Sequence, residues 1–109
     1  MSLDVTLKQE VTQVREVYSR NITHNLVAMA REAGLYMQLW RPDEIRITKA
    51  HQLIDPLRNG LELLRSDPDR FQEFNAANGW GSYEDLVGFV ADYLAACVRS
   101  PNADVEASR

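Results

Sequence analysis

With 109 residues, the chain is long enough for one domain, residues 1–109, that buries a hydrophobic core of its own. A net charge of −4, with Lys and Arg scattered among acidic residues, argues against the basic surface that nucleic-acid binders need. No stretch approaches the roughly 18 uncharged apolar residues of a membrane span. A single cysteine, Cys97, rules out an internal disulfide and a Cys-rich zinc site. We therefore expect a cytoplasmic protein with no nucleic-acid or membrane partner, and the sequence indicates no cofactor and no metal.

The N-terminal segment fits two patterns. Val5, Leu7 and Val11 alternate with polar residues, as expected of a half-buried strand. An alternative is the apolar stripe of a helix, which is fitted by Leu3, Leu7, Val11 and Val14. The many β-branched residues of this segment favour the strand.

The next segment predicts a helix that begins near Asn21 or Thr23 and ends at Gly34. Asparagine and threonine are favoured at helix N-termini, and glycine commonly follows a helix C-terminus. The apolar residues after Gly34 predict another short helical turn, which ends at Arg41-Pro42 because the residue before a proline is biased out of helical geometry. The expected apolar face consists of Ile22, Leu26, Met29, Ala30 and Ala33.

A second long helix is expected to begin near Thr48. Pro56 lies within its pattern and predicts either a kink or the start of a new helix. Asp67-Pro68 then opens a short turn of helix. The apolar residues of the long helix keep helical spacing throughout, and they are Ala50, Leu53, Ile54, Leu57, Leu61 and Leu64.

The last helix has the clearest start signal. Ser82 and Asp85 have the layout of a capping box, and the amphipathic pattern that follows places Cys97 on the apolar face as an inert core residue. The tail, residues 103–109, predicts a short strand that pairs with the N-terminal one, whose backbone groups otherwise lack partners. The predicted fold class is α+β and mostly α, with four or five helices packed on a small antiparallel ribbon formed by the N- and C-terminal strands.

The first candidate site is the run from Asn21 to Asn25. Four of its five residues are polar, and they lie where a helix start offers free N–H groups that favour anions. His24 in such a place is a candidate general base or ligand. The structural alternative is that these residues simply cap the helix, and we favour it for the Asn and Thr residues and also for His24.

The second candidate is the loop that contains Asn78 and Trp80. Glycines at 79 and 81 flank Trp80, which indicates unusual backbone torsions or a close approach. The tryptophan is then a lid, an anchor for a partner or a plug that covers the core. We favour the plug because Trp brings so much apolar area.

Two further positions are candidates for a functional role. Trp40 beside Arg41 fits a binding hot spot, but a helix-ending residue packed against the next helix is the favoured interpretation. His51 and Asp55 are four residues apart on one predicted helix, where they can form half a metal site or, more commonly, a surface hydrogen bond.

Three motifs together resemble a group of small uncharacterised proteins from bacteria and their phages. The motifs are Asn21–Leu26, Leu39–Pro42 and Asn78–Glu84, and in that group comparable motifs recur in this order. The resemblance spans the chain from about Val17 to its end. It implies a free-standing protein of a phage or mobile-element repertoire, but neither a reaction nor catalytic residues.

Three functional hypotheses follow. The first is a small binding or accessory protein that engages a protein or a small ligand. The second is a small enzyme with His24 as general acid or base, and the third is a homo-oligomer, such as a homodimer, paired through an exposed strand edge. We favour binding over catalysis because enzymes of this size usually have a denser set of titratable groups. The proposed binding patch consists of Asn21, His24, Asn25, Trp40, Asn78 and Trp80.

Overall fold

The computed structural model describes residues 1–10 and 14–109. Within these residues, three strands and five α-helices form an α+β fold that is mostly helical, which confirms the predicted fold class. Short 3-10 helices cover residues 24–26, 42–45 and 50–53. The strands are β1 (Ser2–Glu10), β2 (Val14–Thr23) and β3 (Asp104–Ser108). The helices are α1 (Val27–Glu32), α2 (Tyr36–Trp40), α3 (Ile54–Ser66), α4 (Pro68–Gln72) and α5 (Tyr83–Arg99).

The three strands form one antiparallel sheet in the order β2-β1-β3. Leu3, Val5 and Leu7 of the central strand are completely buried, because alternate residues of a strand face the same side. The tail pairs with β1 as expected, for example Val105 with Leu7. Val11, which belongs to both N-terminal patterns, lies outside the described residues. The helices therefore pack on one face of the sheet, and the other face is polar.

The N-terminal segment contributes two strands, where the sequence predicted one. β2 continues to Thr23, so Ile22 belongs to the sheet and pairs with Leu3, and the prediction that it lies on a helix face was wrong. The pairing with β1 satisfies the backbone groups of this segment. Of the two predicted caps, Thr23 ends the strand and caps the helical turn that follows. The Asn21 side chain instead donates across the sheet to Ser2 and Asp4, so it is not a helix cap.

The first helical segment has the predicted capping residues at both of its ends. Thr23 accepts a hydrogen bond on Oγ1 from the Asn25 backbone N–H at 3.2 Å and so caps the 3-10 helix that precedes α1. After α1, Gly34 adopts a φ of +75°, and the Leu35 N–H donates to the Ala30 carbonyl at 2.8 Å. This is a Schellman motif, which glycine adopts without a steric penalty.

The main contact between helices is that of α3 with α5, and α5 in turn packs against β2 of the sheet. Pro56 occupies the first turn of α3, so of the two predicted alternatives the start of a new helix is the one that forms. The predicted start near Thr48 was wrong, because residues 50–53 form a 3-10 helix and α3 begins at Ile54. Gly60 allows α3 to approach Leu35 closely, since an added Cβ would lie 2.5 Å from the Leu35 side chain. No helix among residues 1–10 and 14–109 is long and apolar enough to cross a membrane.

Candidate functional site

The structure divides the six residues of the predicted patch into two groups. Asn25, Asn78 and Trp80 are joined by hydrogen bonds at the end of β2, and Asn21 lies beside them on the polar face of the sheet. His24 and Trp40 lie apart from this group, against each other and against the core. The patch as predicted is therefore not one surface.

Trp80 is exposed, with 74% of its surface accessible, so the interpretation of this residue as a core plug was wrong. The reason lies in the next residue. Gly81 packs against the core here, and a Cβ on it would lie 3.3 Å from Cγ of the buried Leu26 and 3.1 Å from Cγ2 of Thr23. Gly79 and Gly81 both have positive φ, +78° and +119°, which confirms the predicted unusual torsions.

The backbone of Trp80 is held on both sides although its side chain is exposed. Its N–H donates to Oδ1 of Asn78 at 3.0 Å, and its carbonyl accepts from Nδ2 of Asn25 at 2.8 Å. The Ala76 N–H also donates to the carbonyl of Gly81 at 3.0 Å, which closes the loop. The indole is thus presented from a fixed position, as an aromatic anchor requires.

A groove of about 390 Å³ lies beside the indole, within the roughly 300–1,000 Å³ range of small-molecule sites. Sequence reasoning missed Ser2 as one of its residues, because only the pairing of β1 with β2 brings Ser2 beside Thr23. Nδ2 of Asn21 donates to Oγ of Ser2 at 2.6 Å and to Oδ1 of Asp4 at 2.7 Å, so the cross-strand neighbours fix this amide. The residues that line the groove are Met1, Ser2, Asn21, Thr23, Asn25 and Trp80.

Trp40 is 2% exposed, which confirms its interpretation as a helix-ending residue packed inside and excludes it as a surface hot spot. Its ring stacks on Tyr36 with centroids 6.0 Å apart and meets the edge of His24 at 6.1 Å. Nε1 of Trp40 and Nε2 of His24 are buried and have no hydrogen-bond partner among the described residues. No described carboxylate therefore orients His24 for proton transfer.

The pair His51 and Asp55 does not form a hydrogen bond in the described structure. Both side chains are exposed, and Asp55 instead contacts Arg58 at 3.3 Å. The described residues contain no group of three or more His, Cys, Asp or Glu side chains arranged to hold a metal ion. His51 lies in the 3-10 helix of residues 50–53 and Asp55 lies in α3, so the prediction that one regular helix carries both residues was wrong.

Cys97 is buried in α5, as its place on the apolar stripe predicted. Burial raises the pKa of its thiol to about 12, because the low-dielectric core disfavours the thiolate. The thiol is therefore protonated at neutral pH and is a packing residue and not a nucleophile.

Comparison with protein-family models, with curated proteins and with solved structures gives no match for this chain. The resemblance to small bacterial and phage proteins therefore stays a prediction.

Proposed function

We propose that this chain is a binding protein that engages a protein or a small ligand through the groove beside Trp80. The observation that carries the proposal is an indole that is 74% exposed on a backbone held by hydrogen bonds from both sides. Tryptophan is the residue type most enriched in binding hot spots. An anchor that is already fixed loses little conformational entropy when a partner binds.

The patch in this proposal is smaller than the one that the sequence suggested. It keeps Asn21, Asn25, Asn78 and Trp80 and omits the two interior residues. Asn78 and Asn25 act mainly by holding the loop, and Trp80 supplies most of the contact area. His24 and Trp40 do not line the groove; their rings pack against each other with centroids 6.1 Å apart.

The two alternatives have weaker support. The enzyme hypothesis needs a partner group for His24, and its buried Nε2 contacts none in the described structure. The homo-oligomer hypothesis draws on the two edge strands of the described sheet, β2 and the C-terminal β3. β3 has only five residues, and a short edge strand is a poor template for pairing. A register shift opposite Leu7 and Lys8 breaks the regularity of β2, and such irregularities disfavour edge-to-edge pairing.

We also propose a cytoplasmic setting and a phage or mobile-element origin. The cytoplasmic setting is supported by the single cysteine, which is free and buried and suits a reducing compartment. The proposed origin is supported only by the resemblance of the three motifs.

The experiment is a ligand screen read by NMR at the two indole N–H signals, which the variants Trp40→Phe and Trp80→Phe assign. Peptide and metabolite libraries are added to the labelled protein. We expect hits that shift the Trp80 signal and leave the Trp40 signal in place, since one ring is exposed and the other is buried.

Val98→Ala is the matched control, because Val98 is also exposed, at 54%, and lies near the other end of α5. Hits should bind this variant as they bind the unaltered chain. The proposal is contradicted if every hit binds Trp80→Ala with unchanged affinity, or if the screen gives no hit that depends on Trp80.

A further inference from the structure

The groove beside Trp80 combines one large aromatic face with polar groups of a particular kind. Apart from Trp80 and Met1, its lining residues carry only hydroxyl and amide side chains, namely Ser2, Asn21, Thr23 and Asn25. The described residues that line the groove include neither Lys nor Arg, so their side chains offer an anionic ligand no cation. It also lacks the further apolar side chains that surround a tryptophan in a protein–protein hot spot.

The orientation of the two amides follows from their partners. Only the NH₂ group of Asn25 can donate to the Trp80 carbonyl, and only the NH₂ group of Asn21 can donate to the Asp4 carboxylate. The carbonyl oxygen of each amide is therefore available to a ligand, since neither accepts a hydrogen bond from another described residue. Asn25 also keeps one N–H donor, because its NH₂ group uses only one of its two hydrogens on the Trp80 carbonyl. Two acceptors with fixed orientations thus lie at the groove beside the indole.

The hydroxyl groups add donors to this set. Oγ of Ser2 accepts from Asn21 at 2.6 Å, and Oγ1 of Thr23 accepts from the Asn25 N–H at 3.2 Å, so each hydroxyl hydrogen is left to donate outward. The groove therefore presents acceptors and donors together, with a π face next to them. An apolar occupant would leave these groups without partners, at a cost of about 1–3 kcal/mol for each one that it buries.

We propose that the groove binds a neutral saccharide. The ring carbons of a pyranose carry weakly positive C–H groups on one face, which suit the negative face of the indole. Its hydroxyl groups donate to the carbonyl oxygens of Asn21 and Asn25 and accept from Ser2 and Thr23. This inference rests on the proposed binding function and names the chemistry of the ligand.

The test is isothermal titration calorimetry of the full chain with trisaccharides of glucose, galactose, mannose and N-acetylglucosamine. We expect saturable binding of at least one of them. Trp80→Tyr keeps an aromatic face and should bind within a few-fold of the unaltered chain. Trp80→Leu keeps apolar area without a π face and should bind about tenfold more weakly, which corresponds to about 1.4 kcal/mol.

Two controls distinguish a loss of binding from a loss of folding. Val98→Ala should bind as the unaltered chain does, and circular dichroism should show that both Trp80 variants keep their helices, since Trp80 is exposed. Asn25→Asp is a second probe, because a carboxylate cannot donate to the Trp80 carbonyl. It should weaken saccharide binding without unfolding the chain.

The saccharide inference is overturned if no trisaccharide binds at millimolar concentration, or if Trp80→Leu binds as well as Trp80→Tyr. If peptides bind in a Trp80-dependent manner and saccharides do not, the saccharide inference fails and the proposed function stands. If neither saccharides nor any member of the peptide and metabolite libraries binds in a Trp80-dependent manner, both the saccharide inference and the proposed function fail.

Discussion

Gly60→Ala tests how tightly α3 packs on the turn between α1 and α2. An alanine Cβ at this position would lie 2.5 Å from both Cγ and Cδ2 of Leu35. Leu35 is completely buried, so its side chain can move only by displacing other core residues. Contacts of this length do not occur between real side chains, and the core must therefore shift.

Gly88→Ala is the matched control, since Gly88 also lies within a long helix. There the nearest atom to an added Cβ is Nη2 of Arg20 at 3.9 Å, an ordinary van der Waals distance. Both substitutions gain the helix propensity of alanine over glycine, about 0.8–1.0 kcal/mol. Only Gly60→Ala also pays for overpacking, which costs about 1–3 kcal/mol.

We therefore expect Gly88→Ala to raise the free energy of unfolding by about 0.5–1 kcal/mol and Gly60→Ala to lower it by about 1 kcal/mol. Urea unfolding followed by circular dichroism measures both values, and an unchanged m-value shows that the two-state comparison holds. If both variants are stabilised equally, the contact between Gly60 and Leu35 is not close, and the packing described here is wrong.

Three further predictions concern α5. Ser82→Ala removes the side-chain acceptor of the Asp85 N–H and should lower the free energy of unfolding by about 1 kcal/mol, whereas Ser100→Ala at the other end should change it much less. Cys97, with its pKa raised to about 12, should resist iodoacetamide in the folded chain and react after unfolding. The pKa of the Cys97 thiol is higher in the folded chain than in the unfolded chain. The contribution of this group to the free energy of unfolding is therefore fully present below about pH 9 and is lost as the pH rises towards 12. Cys97→Ala should therefore make stability less dependent on pH in this range, although the raised pKa of Tyr93 acts in the same direction and will leave some dependence.

The features that the sequence predicted well are those with local causes. The capping box of Ser82 and Asp85 forms as expected, with hydrogen bonds of 3.1 and 3.2 Å. Gly34 ends the first helix because a residue at that point needs a positive φ. In each case the residues that signal the helix end and the hydrogen bonds that form it are only a few positions apart, so distant contacts do not change the outcome.

The features that it missed depend on distant partners. The strand over residues 14–23 ends in Asn and Thr, which are typical of helix caps, and only pairing with β1 makes it a strand. The sequence favoured an interior position for both tryptophans, yet Trp40 is buried and Trp80 is exposed. What separates them is the contact of Gly81 with Leu26, which closes the core without Trp80. Gly81 and Leu26 are far apart along the chain, so local sequence patterns do not predict their contact.

The central claim is that Trp80 is an exposed aromatic residue on a fixed backbone, and acrylamide quenching of two single-tryptophan variants tests it most directly. Trp40→Phe leaves Trp80 as the only tryptophan, and its fluorescence should be red-shifted and readily quenched. Trp80→Phe leaves the buried Trp40, whose fluorescence should be blue-shifted and protected. If the fluorescence of Trp80 is blue-shifted and protected, the residue is a plug after all, and the groove beside it is not a binding site.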